Sequence, residues 1–495
     1  MPKHFSIPPE ISTISGRLRE LGFEAYLVGG CVRDLIRGVS PKDWDITTSA
    51  SPEEIIATFP KTFYENEFGT VGVVNEDILE TDAQKKVLRV VEVTPYRKET
   101  TYSNFRHPDE VTFSKDIADD LLRRDFTMNA IAYDPSTGTC VDPYMGADDI
   151  SRKLIKSVGN PDDRFNEDAL RVMRAVRFST ELGFVIEKDT MDAVIKYVPR
   201  LEKIASERIR DEFIKIIMSD RPMEGIVLLH RTGILAFIMP ELEQGLGCEQ
   251  NGDHIYDVWE HNLRALKHAA ERGWSLHVRI AALLHDVGKP ATRKWSDEKK
   301  DWTFYGHDVV GGRMATKILD RMRFPKELVQ NVSTLVRYHL FFSDIEKITL
   351  SAVRRIVANV GPLLVWDLMH VRACDRIGMG RPKETPYRLR KYHSMIEEAM
   401  RAPVSVGMLK IDGEQIMTLT GERPSRRIGS ILYALFDEVL EQPEHNTEVY
   451  LQNRTRELAA LPEVELHSRG EKGKLVREEM EEEEVGEIRK KYNVK

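Results

Sequence analysis

The apolar residues of this chain change their periodicity near residue 150, and that change constrains the architecture more than any other feature. From Glu24 to about Asp149, short β-rich runs (AYLVGG, WDITTS, KVLRVVEVTPY, FTMNAIAYD) are mixed with short helical stretches, the pattern of an α/β head. After Lys153 the apolar positions take helical spacing, as in EDALRVMRAVRFSTELGF and SERIRDEFIKIIM, and nothing strand-like of any length returns. With 495 residues the chain is too long for one hydrophobic core, so the helical remainder is expected to divide further. Pro382, Pro386 and Pro403 mark one break. The expected organisation is a head at 1–149, a neck at 150–225, a body at 226–400, a tail domain at 401–462 and a charged extension at 463–495.

Composition bounds the setting. Hydrophobic residues make up 41% and charged residues 31% of the chain, and no apolar run reaches the length of a membrane span, so a partner membrane is not expected. The first segment lacks the charged start, apolar stretch and small-residue cleavage site of a secretory signal, and Cys31, Cys140, Cys248 and Cys374 show no paired spacing. A cytoplasmic protein with reduced thiols is expected. The net charge of −8 does not exclude an RNA partner, because binding follows local charge. An acidic run at Glu478 to Glu484 accounts for part of it, and basic residues gather at Arg372, Arg376, Arg381, Lys383, Arg388, Arg390 and Lys391.

The chemistry begins at EAYLVGG. Read as a strand followed by the helix CVRDLIRG, it puts Gly29 and Gly30 at a turn whose bare amides suit a triphosphate. The next strand carries Asp43-Trp44-Asp45-Ile46, and strand alternation would turn both carboxylates to one face. Two such carboxylates can share a pair of Mg²⁺ ions, one activating an attacking hydroxyl and one neutralising a leaving pyrophosphate. Glu92, in VVEVTPY, is the candidate third carboxylate.

The combination of LVGGCVRDLIRG, which includes Arg33, with KDWDITTSASPEEI resembles the polymerase-β-like nucleotidyltransferases. More narrowly, it resembles the bacterial and eukaryotic type of tRNA nucleotidyltransferase and its poly(A) polymerase relatives. The resemblance extends to LLRRDFTMNAIAYD, which it assigns to sugar and phosphate contacts through Arg124, Asp125 and Asn129. It also covers DPYMGADDI, similar to a head-to-neck hinge with Asp142 and Gly146.

Selection of the nucleotide can be argued from EDALR. On a helix Asp168 and Arg171 would share a face, presenting an acceptor beside a donor. Cytosine and adenine each offer an exocyclic amine beside a ring-nitrogen acceptor, whereas uracil and guanine offer a carbonyl beside a ring N–H. The pair therefore fits CTP and ATP and repels UTP and GTP. EDALR resembles the family's template motif, with Glu167 a candidate to orient Arg171, Arg174 and Arg177 candidates to meet phosphate, and Arg208 in a supporting role. The stretch RKETTYSNFRHPDEVTF, with Arg106, His107 and Pro108, corresponds to the loop that family members use in switching from C to A.

A second constellation lies in the body. His261, His285-Asp286 and Asp375, with His307 and His339 as possible additions, resemble the ligand set of an HD-type phosphohydrolase, and Lys289 could hold phosphate. Such ligands suit Mg²⁺ or a divalent transition metal. The segment KIDGEQIMTLTGERPSRRIGSILYALFDEVLEQPEHNTEVYL resembles the C-terminal domain of bacterial tRNA nucleotidyltransferases.

Together these readings imply a multidomain enzyme: a polymerase-β-like α/β head, then an all-α neck, an HD body and a tail. The expected activity is addition of C and A to the 3′ end of tRNA, using CTP and ATP and releasing pyrophosphate. The alternatives are an A-adding enzyme or poly(A) polymerase and, from another class, an HD phosphohydrolase with a degenerate head. Oligomeric state is not legible.

Overall fold

Asp45 opens the middle strand of a seven-stranded mixed sheet in the computed structural model, which describes residues 4–65, 69–78, 86–99, 111–252, 254–340, 350–400, 409–442 and 445–471. The sheet strands are β1 (Ala25–Val28), β2 (Asp45–Thr48), β3 (Thr62–Tyr64), β4 (Val71–Val74), β5 (Val90–Pro95), β6 (Ala132–Tyr133) and β7 (Cys140–Val141). Their order is β3-β4-β5-β2-β1-β6-β7, with β2 and β5 parallel and the other neighbours antiparallel. Leu27, Ile46, Val91 and Val93 are fully buried, so the alternating apolar residues that marked these runs face the core. Helices Pro9–Glu20 and Pro52–Thr58 pack against β1 and against β4 and β5. The second is fixed at its start by a reciprocal cap between Ser51 and Glu54.

Two of the expected extended runs are interrupted. KVLR forms a helical turn before β5, and Thr127–Asn129 forms a 3-10 turn before β6. The Loop residues Arg106, His107 and Pro108 and the acidic run at Glu478 lie outside the described residues.

The long helices Leu170–Leu182 and Ser206–Met218 pack on each other, and Val172, Met173, Val176, Ile209, Phe213 and Ile216 on them are buried. Further on, Val258–Glu271 packs against Leu276–Leu284. The structure corrects the expectation of no strands after Lys153. Leu154–Ile155 pairs in parallel with Val185–Ile186, and Lys294–Ser296 pairs with Asp301–Thr303 in a hairpin. Trp295 and Trp302 stand directly opposite each other in that hairpin, and such aromatic pairs stabilise a short ladder that charged turn residues obscure in the sequence.

Packing divides the chain into two units, Met1–Arg337 with Gly378–Gly380, and Tyr338–Ile377 with the chain from Arg381 onward. The division falls inside the segment 226–400. In the second unit, helices Leu350–Val360 and Tyr387–Met400 pack together, and helices Gly413–Thr420, Arg426–Glu441 and Glu448–Ala459 enclose Ile416, Ile431, Leu435, Phe436, Leu451 and Leu458.

Candidate active site

The turn after β1 is built for close approach. Gly29 has φ 77° and caps the helix Gly30–Ile36, and a Cβ there would lie 3.1 Å from Arg124 Nη1 and 3.5 Å from Asp45 Oδ2. Glycine thus lets the backbone, a guanidinium and a carboxylate meet at one point.

Asp43 is not in a strand. It sits in a bend just before β2, because the pairing of β2 with β1 begins only at Ile46, opposite Leu27, where β1 is about to turn. Strand alternation therefore does not account for the orientation of the pair. Asp43 and Asp45 nevertheless line the same cleft, of about 510 Å³. Glu92 stands beside Asp45 in the parallel register of β2 and β5 and lines no part of that cleft. Two of these acids are pushed up: the Asp45 carboxyl by burial and by Asp43 against the pull of Arg124, and Glu92 by desolvation, then by Asp45, Glu65 and Asp43. An all-oxygen donor set with mutual repulsion fits a hard divalent cation.

Across the cleft, Asp125 is buried and accepts from Asn129 Nδ2 at 3.1 Å, Arg174 Nε at 2.8 Å and Arg174 Nη2 at 2.6 Å. Burial alone would raise its carboxyl, but Arg174, Asn129 and Arg171 together hold it down at about 2. Asn129 also accepts from Arg33 at 3.0 Å. Arg124 is held from behind by the buried Asp120 at 2.9 Å. Asp142 caps the helix Gly146–Ser151, accepting from the amides of Gly146 and Ala147, and a Cβ at Gly146 would lie 2.1 Å from Thr127 O. Asp142, Gly146 and the Arg124–Asn129 segment thus form one packed joint.

Asp168 and Arg171 also line the cleft, but not from one helix. The helix Pro161–Glu167 ends at Asp168, which is extended (φ −133°, ψ 105°), and a new helix starts at Leu170. Asp168 accepts from the Leu170 amide at 2.9 Å and from Arg208 Nη2 at 2.9 Å. Arg171 donates to Glu167 at 2.8 Å and to the carbonyls of Arg164 and Arg123 at 3.0 and 2.8 Å. Glu167 is thus in direct contact with Arg171.

Three groups at the site have no signal in the sequence that separates them from ordinary core or surface residues: Asp120, Phe178 and Glu212. Phe178 lines the cleft with Arg177, Arg174 and Arg33 at 3.9, 5.3 and 5.4 Å from its ring centre. The buried Glu212 accepts from Arg177 Nε at 2.5 Å and lies 3.9 Å from Arg174.

The second constellation forms a buried cluster in the first unit. His261 Nε2 lies 2.8 Å from His285 Nε2 and 3.2 Å from Asp286 Oδ2, while His307 Nε2 lies 3.2 Å from Asp286 Oδ1. Nδ1 of His285 and of His307 is bound to the carbonyl oxygens of Ala282 and Phe304, which leaves each Nε2 turned inward as a ligand atom. This donor set fits a divalent metal. Lys289 Nζ reaches Asp286 at 2.6 Å. Although burial opposes it, the Lys289 and His285 charges hold the Asp286 carboxyl well below the usual range. His339 and Asp375 belong to the second unit, where both are buried and Asp375 pairs with Arg372. Among the basic residues of that unit, Arg376 is lowered by burial and then by the neighbouring Arg381 and Arg372.

No helix among the described residues is long and apolar enough to cross a membrane. Three family models match consecutive stretches: the poly A polymerase head domain at 25–156, the probable RNA- and SrmB-binding site of polymerase A at 183–246, and the HD domain at 258–371. Proteins with the first and third of these domains are metal-dependent. A CCA-adding enzyme of Enterococcus faecalis is 31% identical over 474 residues, covering 94% of this chain and 99% of that one. One from Geobacillus kaustophilus is 43% identical over 234 residues, 46% of this chain and 55% of its own. Among solved structures, a Bacillus stearothermophilus CCA-adding enzyme in complex with CTP superimposes with a TM-score of 0.61 at 27% identity, covering 91% of this chain and 99% of that one. A joined α/β head and helical neck, an HD cluster downstream, and similarity along nearly the whole length place this chain in the family of CCA-adding tRNA nucleotidyltransferases.

Proposed function

We propose that this chain adds C, C and A in turn to the 3′ end of tRNA, using CTP and ATP and releasing pyrophosphate. The observation that carries the reading is that Asp168 and Arg171, a paired acceptor and donor, open into the same cleft as Asp43 and Asp45. Asp168 would accept from the exocyclic amine of cytosine or adenine while Arg171 donates to the ring nitrogen beside it. Arg208 and Glu167 fix the two readers from behind. A nucleotide with a carbonyl and a ring N–H at those positions would leave both groups unpaired, which is costly in a partly buried site.

Asp43, Asp45 and Glu92 would hold Mg²⁺. When bound, it supplies charge neutralisation at the phosphates and acidifies the acceptor hydroxyl. The chain itself binds and orients. Gly29 and Gly30 admit the phosphates to the turn, Arg33 and Arg124 face them, and Asp125 and Asn129 with Arg174 and Arg177 line the sugar and phosphate path. The helical segments after the head would form neck (150–225), body (226–400) and tail (401–462), the last carrying the tRNA. The free cysteines fit a cytoplasmic location.

Purified protein incubated with tRNA ending before CCA, with tRNA ending in CC, and with unrelated RNA, each with CTP and ATP separately, tests this directly. Extension of the first substrate by C and, with both nucleotides, to CCA is expected. Extension of the CC substrate alone would make it an A-adding enzyme, and extension of unrelated RNA by A a poly(A) polymerase.

A second activity has its own supporting observation, the buried His261–His285–Asp286 cluster with inward-facing nitrogens. We propose that it binds Mg²⁺ or a divalent transition metal and hydrolyses phosphoesters, with His307 in contact with the same carboxylate.

A further inference from the structure

A cavity of about 590 Å³ lies in the first unit, walled by the helix Gly30–Ile36, the helix Gly146–Ser151 and the end of the helix Leu170–Leu182, and it shares no lining residue with the nucleotide cleft. Its lining is mostly apolar and includes Phe5, Ile36, Ile150, Leu182 and Phe184. Two cations line it as well, Arg37 and Lys153. We propose that this cavity binds a small amphipathic anion, an apolar body carrying one carboxylate, sulfonate or phosphate, and that its occupancy weakens binding in the nucleotide cleft. The site stands apart from the transfer reaction proposed above, and only its effect on CTP and ATP rests on that reading.

Apolar walls with a few convergent polar groups are the usual make-up of a small-molecule site. The one carboxylate in the lining is already committed, since Asp142 accepts from the amides of Gly146 and Ala147 at 2.7 and 2.9 Å. The cations are not balanced in the same way. Lys153 is exposed and makes no ion pair among the described residues. Arg37 shares Asp34 with Arg33, and its guanidinium lies 5.7 Å from the ring centre of Phe184. Positive charge beside apolar surface is complementary to an anion that carries an apolar body.

The backbone at Lys153 is a second, independent sign. Its φ is 55°, in the left-handed region, at the exit of the helix Gly146–Ser151, where glycine is the usual residue. The conformation is fixed on both sides: the Lys153 amide donates to the Ile150 carbonyl at 3.1 Å, and the Lys153 carbonyl accepts from the Val185 amide at 2.9 Å, where the parallel pair of strands begins. Lysine under this strain brings an ammonium to the cavity that glycine would not, and retained strain of this kind points to use of the side chain.

Arg37 links the cavity to the nucleotide cleft. Its Nη1 donates to Asp34 Oδ1 at 3.0 Å, Asp34 also accepts from Arg33 Nε and Nη2 at 3.0 and 3.1 Å, and Arg33 Nη1 donates to Asn129 at 3.0 Å. Arg33 and Asn129 line the nucleotide cleft. An anion in the cavity competes with Asp34 for Arg37. Asp34 is then left to Arg33 alone, holds that guanidinium more firmly and makes it less available to phosphate. Binding at the two places is therefore antagonistic, and the antagonism is reciprocal.

The test uses the full chain and the fluorescent probe anilinonaphthalene sulfonate, which has an apolar body and a single negative charge. Binding is read by fluorescence and placed by the rate at which iodoacetamide alkylates Cys140, which lines the cavity and is exposed, whereas Cys31, Cys248 and Cys374 are buried. Saturating probe is expected to slow alkylation of Cys140 about tenfold or more. Lys153→Gly, which loses one charged contact, should weaken probe binding about tenfold without lowering Tm, and Ala147→Phe, which fills the cavity from its wall, should abolish the protection. CTP should weaken probe binding about fivefold, and the probe should raise the dissociation constant of CTP by the same factor. Unprotected Cys140, or equal probe affinity in the unaltered and Lys153→Gly proteins, would overturn the assignment. Displacement of the probe by inorganic phosphate as readily as by decanoate would overturn it too, because the cavity would then take bare anions. Protection of Cys140 with no change in CTP affinity would overturn the link through Arg37. If the unaltered protein binds no CTP, the reading of the nucleotide cleft fails separately, and protection of Cys140 alone decides the cavity.

Discussion

Arg208 crosses forty positions of sequence to place Nη2 2.9 Å from Asp168 Oδ2. Asp168 stands at the break between two helices, where the Leu170 amide holds Oδ1 and the arginine holds Oδ2, so the two together set the direction of its remaining lone pairs. Arg208→Ala is expected to lower kcat/KM for CTP and ATP and to admit UTP and GTP, reducing discrimination about tenfold to a hundredfold, the worth of one hydrogen bond to a charged group. Single-nucleotide incorporation with each of the four triphosphates measures it. An equal loss with all four would show that Arg208 supports the fold and not the choice of base.

Asp45 and Glu92 are neighbours in the parallel register of β2 and β5, but Asp45 lines the cleft and Glu92 does not. Asp45→Ala is expected to lower C and A addition at least about a thousandfold, because the phosphates lose the cation that neutralises them. Glu92→Gln keeps the shape of the strand pair and lies outside the cleft lining, so it should lower kcat while leaving CTP affinity within about twofold. Equilibrium binding of CTP beside single-turnover rates reads the difference, and a large loss of CTP affinity in Glu92→Gln would contradict it.

The HD cluster is independently testable because it lies apart in sequence from the transfer carboxylates and shares no ligand with them. His285→Ala removes an inward nitrogen and is expected to weaken divalent metal binding by more than about a hundredfold, with any phosphoesterase activity lost and C addition retained. Metal content after dialysis against Mn²⁺ or Ni²⁺ is the readout besides activity. Retained metal in the variant would remove His285 from the ligand set.

How much of this was legible in the sequence depends on whether a residue's role is chosen by chemistry or by packing. Gly29, Asp43 and Asp45 were legible as candidates because the glycine turn and the spaced acids occur in combination, in the order the family resemblance requires, and the fold brings all three to one cleft. The bend at Asp43 was not, since it follows from where β1 stops offering a partner. The helix break at Asp168 was hidden because apolar residues such as Phe165, Ala169, Val172 and Val176 run through it at helical spacing, all of them buried. Phe178 reads as core and Glu212 as a surface acid, and only the fold brings both to Arg177. Asp120, buried behind Arg123 and Arg124, reads as one more acid of a helix.

Gly146 tests the joint between the helix Gly146–Ser151 and the turn that carries Asn129. A methyl group at this position would lie 2.1 Å from Thr127 O, so the backbone must move, and the moving segment carries Asn129. Gly146→Ala is expected to destabilise the protein by about 2 kcal/mol, the usual cost of overpacking, and to raise the KM for CTP. Thermal unfolding and initial rates check both effects. Lost stability with an unchanged KM would show that the strain is absorbed before it reaches Asn129.

Acid sensitivity follows from Asp120 and Asp125. Both are buried, and in the folded protein both titrate at about 2, since the opposing cost of burial is outweighed by Arg123 and Arg124 in one case and by Arg174, Asn129 and Arg171 in the other. An unfolded aspartate titrates near 3.9, so the folded value is depressed and the stabilisation is present in full above about pH 4. It is lost as pH falls through that value towards about 2, where both forms become protonated. Asp125→Asn forgoes the contribution, on the order of 2 kcal/mol, at neutral pH and should flatten the fall in stability between about pH 4 and 2. Denaturant unfolding followed across that range compares the variant with the unaltered protein, and identical acid slopes would mean that Arg174 does not hold the Asp125 carboxylate as its two short contacts indicate.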